Sequence, residues 1–348
     1  MRAKNRTEGA RSGGTAHHIS VVSTTVAFAM SQGMTMADIE DATGLHGPAL
    51  ADPEARLPDE IVPRLWRTLV ARAPDDVTIT LEAARGAPFS ALGGLAHGAQ
   101  FASNLREALG FIVQNQRILG DRLELRLVER PEETVLNGHH PTDKIDQGRT
   151  AEVGIALTVR LIRELLRIRR APSRIEFAHR PLGAVENYEA FFKTPVMFGS
   201  AENAIAFPAE VMSKPVCGQN AELFAFVETH FRMVLDRLVA EAPSPAVVRL
   251  RQAIMAGASR GDYNATTVAQ RAGLSLRSAQ RIAATIDTTL QAMLDEARAS
   301  NAKALLNDPT ISIATIGTLV GYSDDRAFRR AFKRWTGTSP SQFRRQSG

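Results

Sequence analysis

Two stretches near the C-terminal end, TTVAQRAGLSLRSAQRIAA at 266–284 and ATIGTLVGYSDDRAFRRAF at 314–332, share one plan: an apolar helix, a glycine, a hydrophobic residue, a serine and a second helix rich in arginine. The plan is restrictive because each position has a mechanical task. A small residue in the first helix, Ala269 or Gly317, lets the second helix cross closely, and Gly273 and Gly321 supply the backbone freedom for a turn. Leu274 and Tyr322 plug the corner. Ser275 and Ser323 are placed to cap the second helix, and Asp324 and Asp325 add favourable charge at its N-terminus. The units, about 265–286 and 313–336, therefore read as helix-turn-helix pairs, with DTTLQAMLDEARASNAKALLND as the helix between them. From Ala246 to Arg345 there is no strand pattern, so this third of the chain is all-α.

The outward faces carry the functional signal. With ~3.6 residues per turn, Ala327, Phe328, Ala331, Phe332 and Trp335 share one arc, and Arg326, Arg329, Arg330, Lys333 and Arg334 lie almost opposite. Five cations on one face repel by a few tenths of a kcal/mol per pair, and a solvated face usually mixes in glutamates. A DNA major groove accepts both the helix and its charge. In the first unit Ala279, Ile282, Ala283 and Ile286 form the inner face, leaving Arg277, Ser278, Gln280 and Arg281 outside. Arginine pairs bidentately with guanine and glutamine with adenine. A single basic amphipathic helix is more often a solvated face than a reader. Here there are two in tandem, and from residue 245 onward 15 Lys and Arg stand against 7 Asp and Glu, a net of +8 in a chain of net +5. The preceding part is slightly acidic, so only the C-terminal third is built to meet a polyanion.

The run ISIATIGTLVGYSDDRAFRRAFKRWTGTSPSQFRR strongly resembles the signature of the AraC/XylS family of bacterial transcription regulators, through Ile316, Gly321, Ser323, Phe328, Arg330, Phe332, Gly337, Ser339, Pro340 and Phe343. The resemblance covers about the last hundred residues. It implies base contacts from Arg277, Gln280 and Arg281 in the first unit and from Asp325, Arg326, Arg329 and Arg330 in the second, with Ser275, Ser278, Ser323 and Lys333 on the same surface. Asp325 either accepts a hydrogen bond from a cytosine amino group or orients Arg329 four residues on. Departures fall in the first unit: Ala279 and Ala283 replace larger apolar residues, Asp287 stands where glycine is common, and Asn301 where an apolar side chain is expected.

The N-terminal part mixes helices with short strands, RLELRLVER, ETVLNGHH, RIEFAH, PVMFG and AIAF, around a long helix, AEVGIALTVRLIRELLRIRR, with arginines on its polar face. EIVPRLW, ALGGLAHGAQFASNLREAL, PSRIEFAH and YEAFFKTPVMFGSAENAIAF are similar to the arabinose-binding-type domain of a subset of the same family. The expected fold is an α+β N-terminal domain followed by an all-α domain of two helix-turn-helix units joined by a helix. Its divisions are a disordered basic tail at 1–18, an effector-sensing and dimerisation domain at 19–240, a linker at 241–247 and the DNA-binding domain at 248–346. The resemblance implies a homodimer that binds promoter DNA, answers a small-molecule effector and acts as activator rather than repressor, with RNA polymerase as a further partner. The effector residues are not marked by the sequence: Trp66, Phe89, Phe101 and Phe111 either line a cavity or fill it, and core is the reading taken.

Other classes fare less well. Arg2, Lys4, Arg6 and Arg11 precede ISVVSTTVAFAM in the manner of an export signal, but Ser20, Ser23, Thr24 and Thr25 dilute the apolar run, which reads instead as a first buried helix. A single cysteine, Cys217, fits a reducing, cytoplasmic setting. With no histidine nearby, Cys217 reads as a packed or incidental thiol rather than a nucleophile. His139 and His140 would point to opposite faces of a strand, a poor metal geometry, and His17 and His18 fall in the tail. No phosphate or dinucleotide fingerprint is present, so neither an enzyme activity nor a cofactor nor a metal is expected. An architectural DNA binder without effector remains the alternative within the DNA-binding class.

Overall fold

The computed structural model describes residues 16–52, 55–72, 79–241 and 244–347. The chain divides into two compact units, one through Glu241 and one from Ala242.

The first unit opens with β1 (Ala16–His18), paired antiparallel with β2 (Arg56–Pro58). His17 and His18 are thus strand residues and not part of a tail, and His17 is buried, with its ring 4.7 Å from that of His140. A three-residue strand has too few positions to show a period. The remainder of the expected tail, residues 1–15, lies outside the described residues. The helices α1 (Ile19–Ser31), α2 (Met36–Thr43) and α3 (Ile61–Arg72) surround a small core of Val22, Val26, Ile39, Leu65 and Trp66. A capping box of Thr35 and Asp38 starts α2.

After α4 (Ile79–Gly86), α5 (Gly93–Ala99) and α6 (Leu105–Gln114) comes the hairpin of β3 (Glu124–Glu129) and β4 (Glu133–His139), then α7 (Arg149–Leu166), β5 (Arg174–Phe177), α8 (Val185–Phe192), β6 (Val196–Phe198), β7 (Asn203–Pro208), α9 (Ala209–Met212) and α10 (Ala221–Glu241). The five-stranded sheet runs β3-β4-β7-β5-β6, antiparallel except for the β5–β6 pair. Period-two alternation sends Leu136, Ile175, Phe177, Ile205 and Phe207 into the main core, where α6 and α7 contribute Phe111, Val159 and Ile162. Val135, Ala204 and Ala206 form a separate patch on the other face. Trp66 and Phe111 are core residues as expected, and Phe89 and Phe101 pack at its edge.

The arginines of α7 are not simply solvated. Arg160 donates to the carbonyls of Ala84 and, at 2.9 Å, Ala87, at the end of α4; Arg163 donates to the carbonyls of Phe191, at 3.2 Å, and Phe192, at the end of α8. Cations there satisfy the last unpaired carbonyls and oppose the negative helix end. Glu152 of the same helix is fully buried, and its carboxylate accepts from the Tyr188 hydroxyl at 2.7 Å and the Thr80 hydroxyl at 2.5 Å.

The second unit is helical throughout its described residues: α11 (Pro245–Ala258), α12 (Ala265–Arg271), α13 (Leu276–Ala284), α14 (Leu290–Leu306), α15 (Ile313–Leu319), α16 (Asp325–Thr336) and α17 (Pro340–Ser347). Its core gathers Leu250, Val268, Leu294, Ile316, Val320, Phe328 and Phe332. The expected linker at 241–247 is shorter than its two prolines imply. Ser244 caps α11 through the Val247 N–H, and Pro245 occupies the first helical turn, where its missing N–H costs nothing.

Candidate nucleic-acid interface

Both repeated units are closed by the same backbone device. In the first, the Gly273 N–H donates to the Gln270 carbonyl and the Leu274 N–H to the Ala269 carbonyl, both at 2.9 Å; in the second, Gly321 donates to Thr318 at 3.0 Å and Tyr322 to Gly317 at 2.9 Å. This paired i−3 and i−5 bonding is a Schellman turn, which needs a left-handed residue; Gly273 has φ +69° and Gly321 has φ +86°. Leu274 and Tyr322 then pack onto the core at the corner, Tyr322 with ring centroids 6.0 Å from both Phe328 and Trp335. The small-residue requirement is met closely in the second unit: a Cβ at Gly317 would lie 3.2 Å from the Phe328 ring.

The caps differ between units. Ser275 caps α13, accepting from the Ser278 N–H at 3.1 Å and donating to the Ser278 hydroxyl at 2.9 Å, so these two hydroxyls serve the helix start. In the second unit the cap is Asp324 and not Ser323. Its carboxylate accepts from the N–H groups of Arg326 at 3.2 Å and Ala327 at 2.9 Å, and α16 begins one residue later than expected. A carboxylate satisfies two orphan donors and adds negative charge at the positive helix end, which a serine hydroxyl does not.

Burial separates the faces of α16. Phe328 and Phe332 are fully buried and Ala331 nearly so, while Arg326, Arg329, Arg330, Lys333 and Arg334 are exposed. Two of the five cations are engaged: Arg329 donates to Asp325 at 2.7 Å, and Arg334 to Asp295 of α14 at 3.1 Å. Arg326, Arg330 and Lys333 have no ion pair among the described residues. Of the two roles open to Asp325, orienting Arg329 is the one the geometry displays.

On α13, Ala279 and Ala283 are fully buried and Ile282 half-buried, as is Ile286 in the turn that follows, so the small side chains sit at the tightest crossing. Arg277, Gln280 and Arg281 are exposed, beside Leu276, an apolar side chain at the helix start that sequence reasoning passed over. Asp287 takes φ +53° where glycine would be unstrained. Asn301 fits by hydrogen bonding, its amide donating to the Tyr263 hydroxyl at 2.9 Å and the Ala258 carbonyl at 3.2 Å. Ser339 and Gln342 begin the last helix with reciprocal bonds, and Arg344 ties it to the Leu306 carbonyl at 3.2 Å and the Ile311 carbonyl at 2.7 Å.

Other candidate sites do not assemble. Cys217 is exposed in a turn after α9, its N–H bonded to the Leu165 carbonyl, so of the two readings, packed or incidental, it is the incidental one. Burial pushes the His140 imidazole down to about 4, and no group of three or more His, Cys, Asp or Glu among the described residues is placed to hold a metal ion. Among the same residues no helix is long and apolar enough to cross a membrane.

Tandem helix-turn-helix units with a basic outward helix, attached to an α+β domain, define a DNA-binding transcription regulator. Residues 33–216 match the model of the arabinose-binding domain of AraC transcription regulators, and residues 268–346 match a helix-turn-helix domain. The chain belongs to the AraC family of transcription regulators, which are not enzymes. It is 26% identical over 261 residues to the ornithine utilization regulator of Pseudomonas aeruginosa, spanning 73% of this chain and 75% of that one. It is 24% identical over 332 residues to an uncharacterized HTH-type transcriptional regulator of Mycobacterium tuberculosis, spanning 91% and 93%. The crystal structure of the transcriptional regulator CdpR from Pseudomonas aeruginosa is similar over 94% of this chain and 98% of that one, with 19% identity and a TM-score of 0.46.

Proposed function

We propose that this regulator reads a promoter site with both helix-turn-helix units, through Arg277, Gln280 and Arg281 of α13 and Arg326, Arg329, Arg330 and Lys333 of α16. The observation that carries the reading is the unpaired basic face of α16: Arg326, Arg330 and Lys333 are held outward by a buried Phe328–Phe332 face and lack any neutralising partner among the described residues. Asp325 orients Arg329 for its contact. Ser275 caps the helix start that approaches the DNA backbone, with the Ser278 hydroxyl bonded to it, and Ser323 lies exposed just before the second cap.

The same reading makes the protein a cytoplasmic, effector-responsive homodimer and an activator that meets RNA polymerase. The arabinose-binding family model over 33–216 and a relative named for ornithine utilization support a small-molecule effector, and because they differ in chemistry the effector class is not assigned. Dimerisation falls to α10, where Leu223, Phe226 and Met233 are exposed beside the face of Phe224, Val227 and Phe231 that packs on the domain core; Phe226 is 70% exposed.

The test is a shift assay with the DNA upstream of the gene over a range of salt. Arg330→Ala lowers affinity and flattens the log–log salt dependence by about one counterion. If affinity and slope both stay at the wild-type values, α16 does not lie on DNA as placed here.

A further inference from the structure

Two readers on one chain meet successive major grooves only if their separation and angle are held fixed, because the grooves recur at about 34 Å along one DNA face. The helix α14 alone does not set that angle, since each unit could pivot about its end of the rod. The joint is closed where loops of the two units meet over one side chain of the rod.

The loop before α12 abuts the turn of the second unit. A Cβ at Gly261 would lie 2.8 Å from the Leu319 carbonyl oxygen, and one at Gly321 would lie 3.2 Å from the Tyr263 ring and 3.3 Å from the Gly261 carbonyl oxygen. Both glycines have positive φ, +68° and +86°, so the two backbones meet where no other residue fits without strain. The loop moves with the first unit, because Asp262 accepts from Arg271 of α12 at 2.9 Å and Arg271 also donates to the Ala253 carbonyl at 3.2 Å.

Beneath this seam lies Arg298 of α14. Its guanidinium sits 5.0 Å from the Tyr263 ring centroid and 5.5 Å from that of Tyr322, so one cation contacts an aromatic ring from each unit. Arg298 also donates to Asp295 at 3.2 Å, and Asp295 in turn accepts from Arg334 of the basic helix α16 at 3.1 Å. Arginine is suited to the task, because its planar, weakly hydrated guanidinium stacks on rings while donating in plane.

We propose that Arg298 is a positioning residue: it latches the Gly261–Tyr263 loop to the Leu319–Tyr322 turn and so fixes the angle between the two DNA-reading helices. Arg298 is mostly buried against the two rings, its side chain 17% exposed, and its effect is confined to DNA that engages both units. The inference rests on the tandem reading proposed above.

The experiment uses full-length protein and three duplexes: the footprinted site, the same site with the element of one unit scrambled, and the same site with five base pairs inserted between the elements. Circular dichroism shows that each variant is folded. For Arg298→Met, affinity for the intact site falls about tenfold, affinity for the scrambled site is unchanged, and the wild-type discrimination against the insertion shrinks. Arg298→Lys keeps the charge without the stacking plane and shows the same selective loss; it carries the test if the methionine variant is unfolded. Equal losses on intact and scrambled sites, or no loss on either, overturn the latch. A wild type that binds intact and scrambled sites equally overturns the tandem reading itself, which is a different failure from that of the latch.

Discussion

Glu152 shows what one buried carboxyl does to the first unit. Its side chain is fully enclosed by Thr80, Tyr188 and, at 3.7 Å, the His179 ring, and burial pushes its pKa up to about 7, with the hydroxyl donors acting the other way. Because the folded-state pKa is raised above the ordinary 4.5, the folded chain holds a proton that the unfolded chain has released, and stability falls as pH rises from about 4.5 to about 7. The full effect is about 3 kcal/mol. Nearby Asp143, raised to about 6 chiefly by burial, acts in the same sense, and His140, lowered to about 4, acts oppositely, with stability rising over its own window. Glu152→Gln therefore removes the decline due to this group. Thermal midpoints between pH 5 and 8 should show the variant gaining on wild type as pH rises, and parallel curves would contradict the assignment. None of this was visible in the chain, where Glu152 looks like one more polar position on α7; its partners Thr80 and Tyr188 lie 72 and 36 residues away. The burial of His17 was hidden for the same reason, since its neighbours are His140, just after β4, and Leu57 of β2.

Among the elements, legibility follows locality. The helix-turn-helix units could be read closely because their determinants lie within one turn of each other: the Schellman glycines, the corner residues and the Phe328–Phe332 stripe all act between near neighbours. The choice of Asp324 over Ser323 as cap was missed because adjacent cap-forming residues compete, and the carboxylate, reaching two N–H groups, prevails. Strand existence could be read from alternation, but the order β3-β4-β7-β5-β6 and the parallel β5–β6 pair depend on long-range register that no local pattern encodes. The stripe also has a measurable weight. Phe332 is fully buried among Phe328 and Phe343, and Phe332→Ala should destabilise the second unit by about 3–5 kcal/mol. Chemical denaturation followed by Trp335 fluorescence checks this, and a change under about 1 kcal/mol would mean the ring is not core.

For the whole molecule, the proposed function is a division of labour: a slightly acidic first unit proposed to sense and pair, and a basic second unit that binds DNA. The pairing half is tested by Phe226→Glu, which places a charge on the exposed arc of α10 and should turn a dimer into a monomer in sedimentation without lowering the thermal midpoint. A dimer that persists would move the interface elsewhere. The reading half is the central claim, and footprinting on the upstream promoter region tests it most directly. Each protomer of the wild-type protein should protect two major-groove patches on one DNA face about one helical turn apart. Gln280→Ala should relax base preference in one patch and leave the other intact. A single protected patch per protomer, or a footprint and base preference unchanged by Gln280→Ala, would contradict the account.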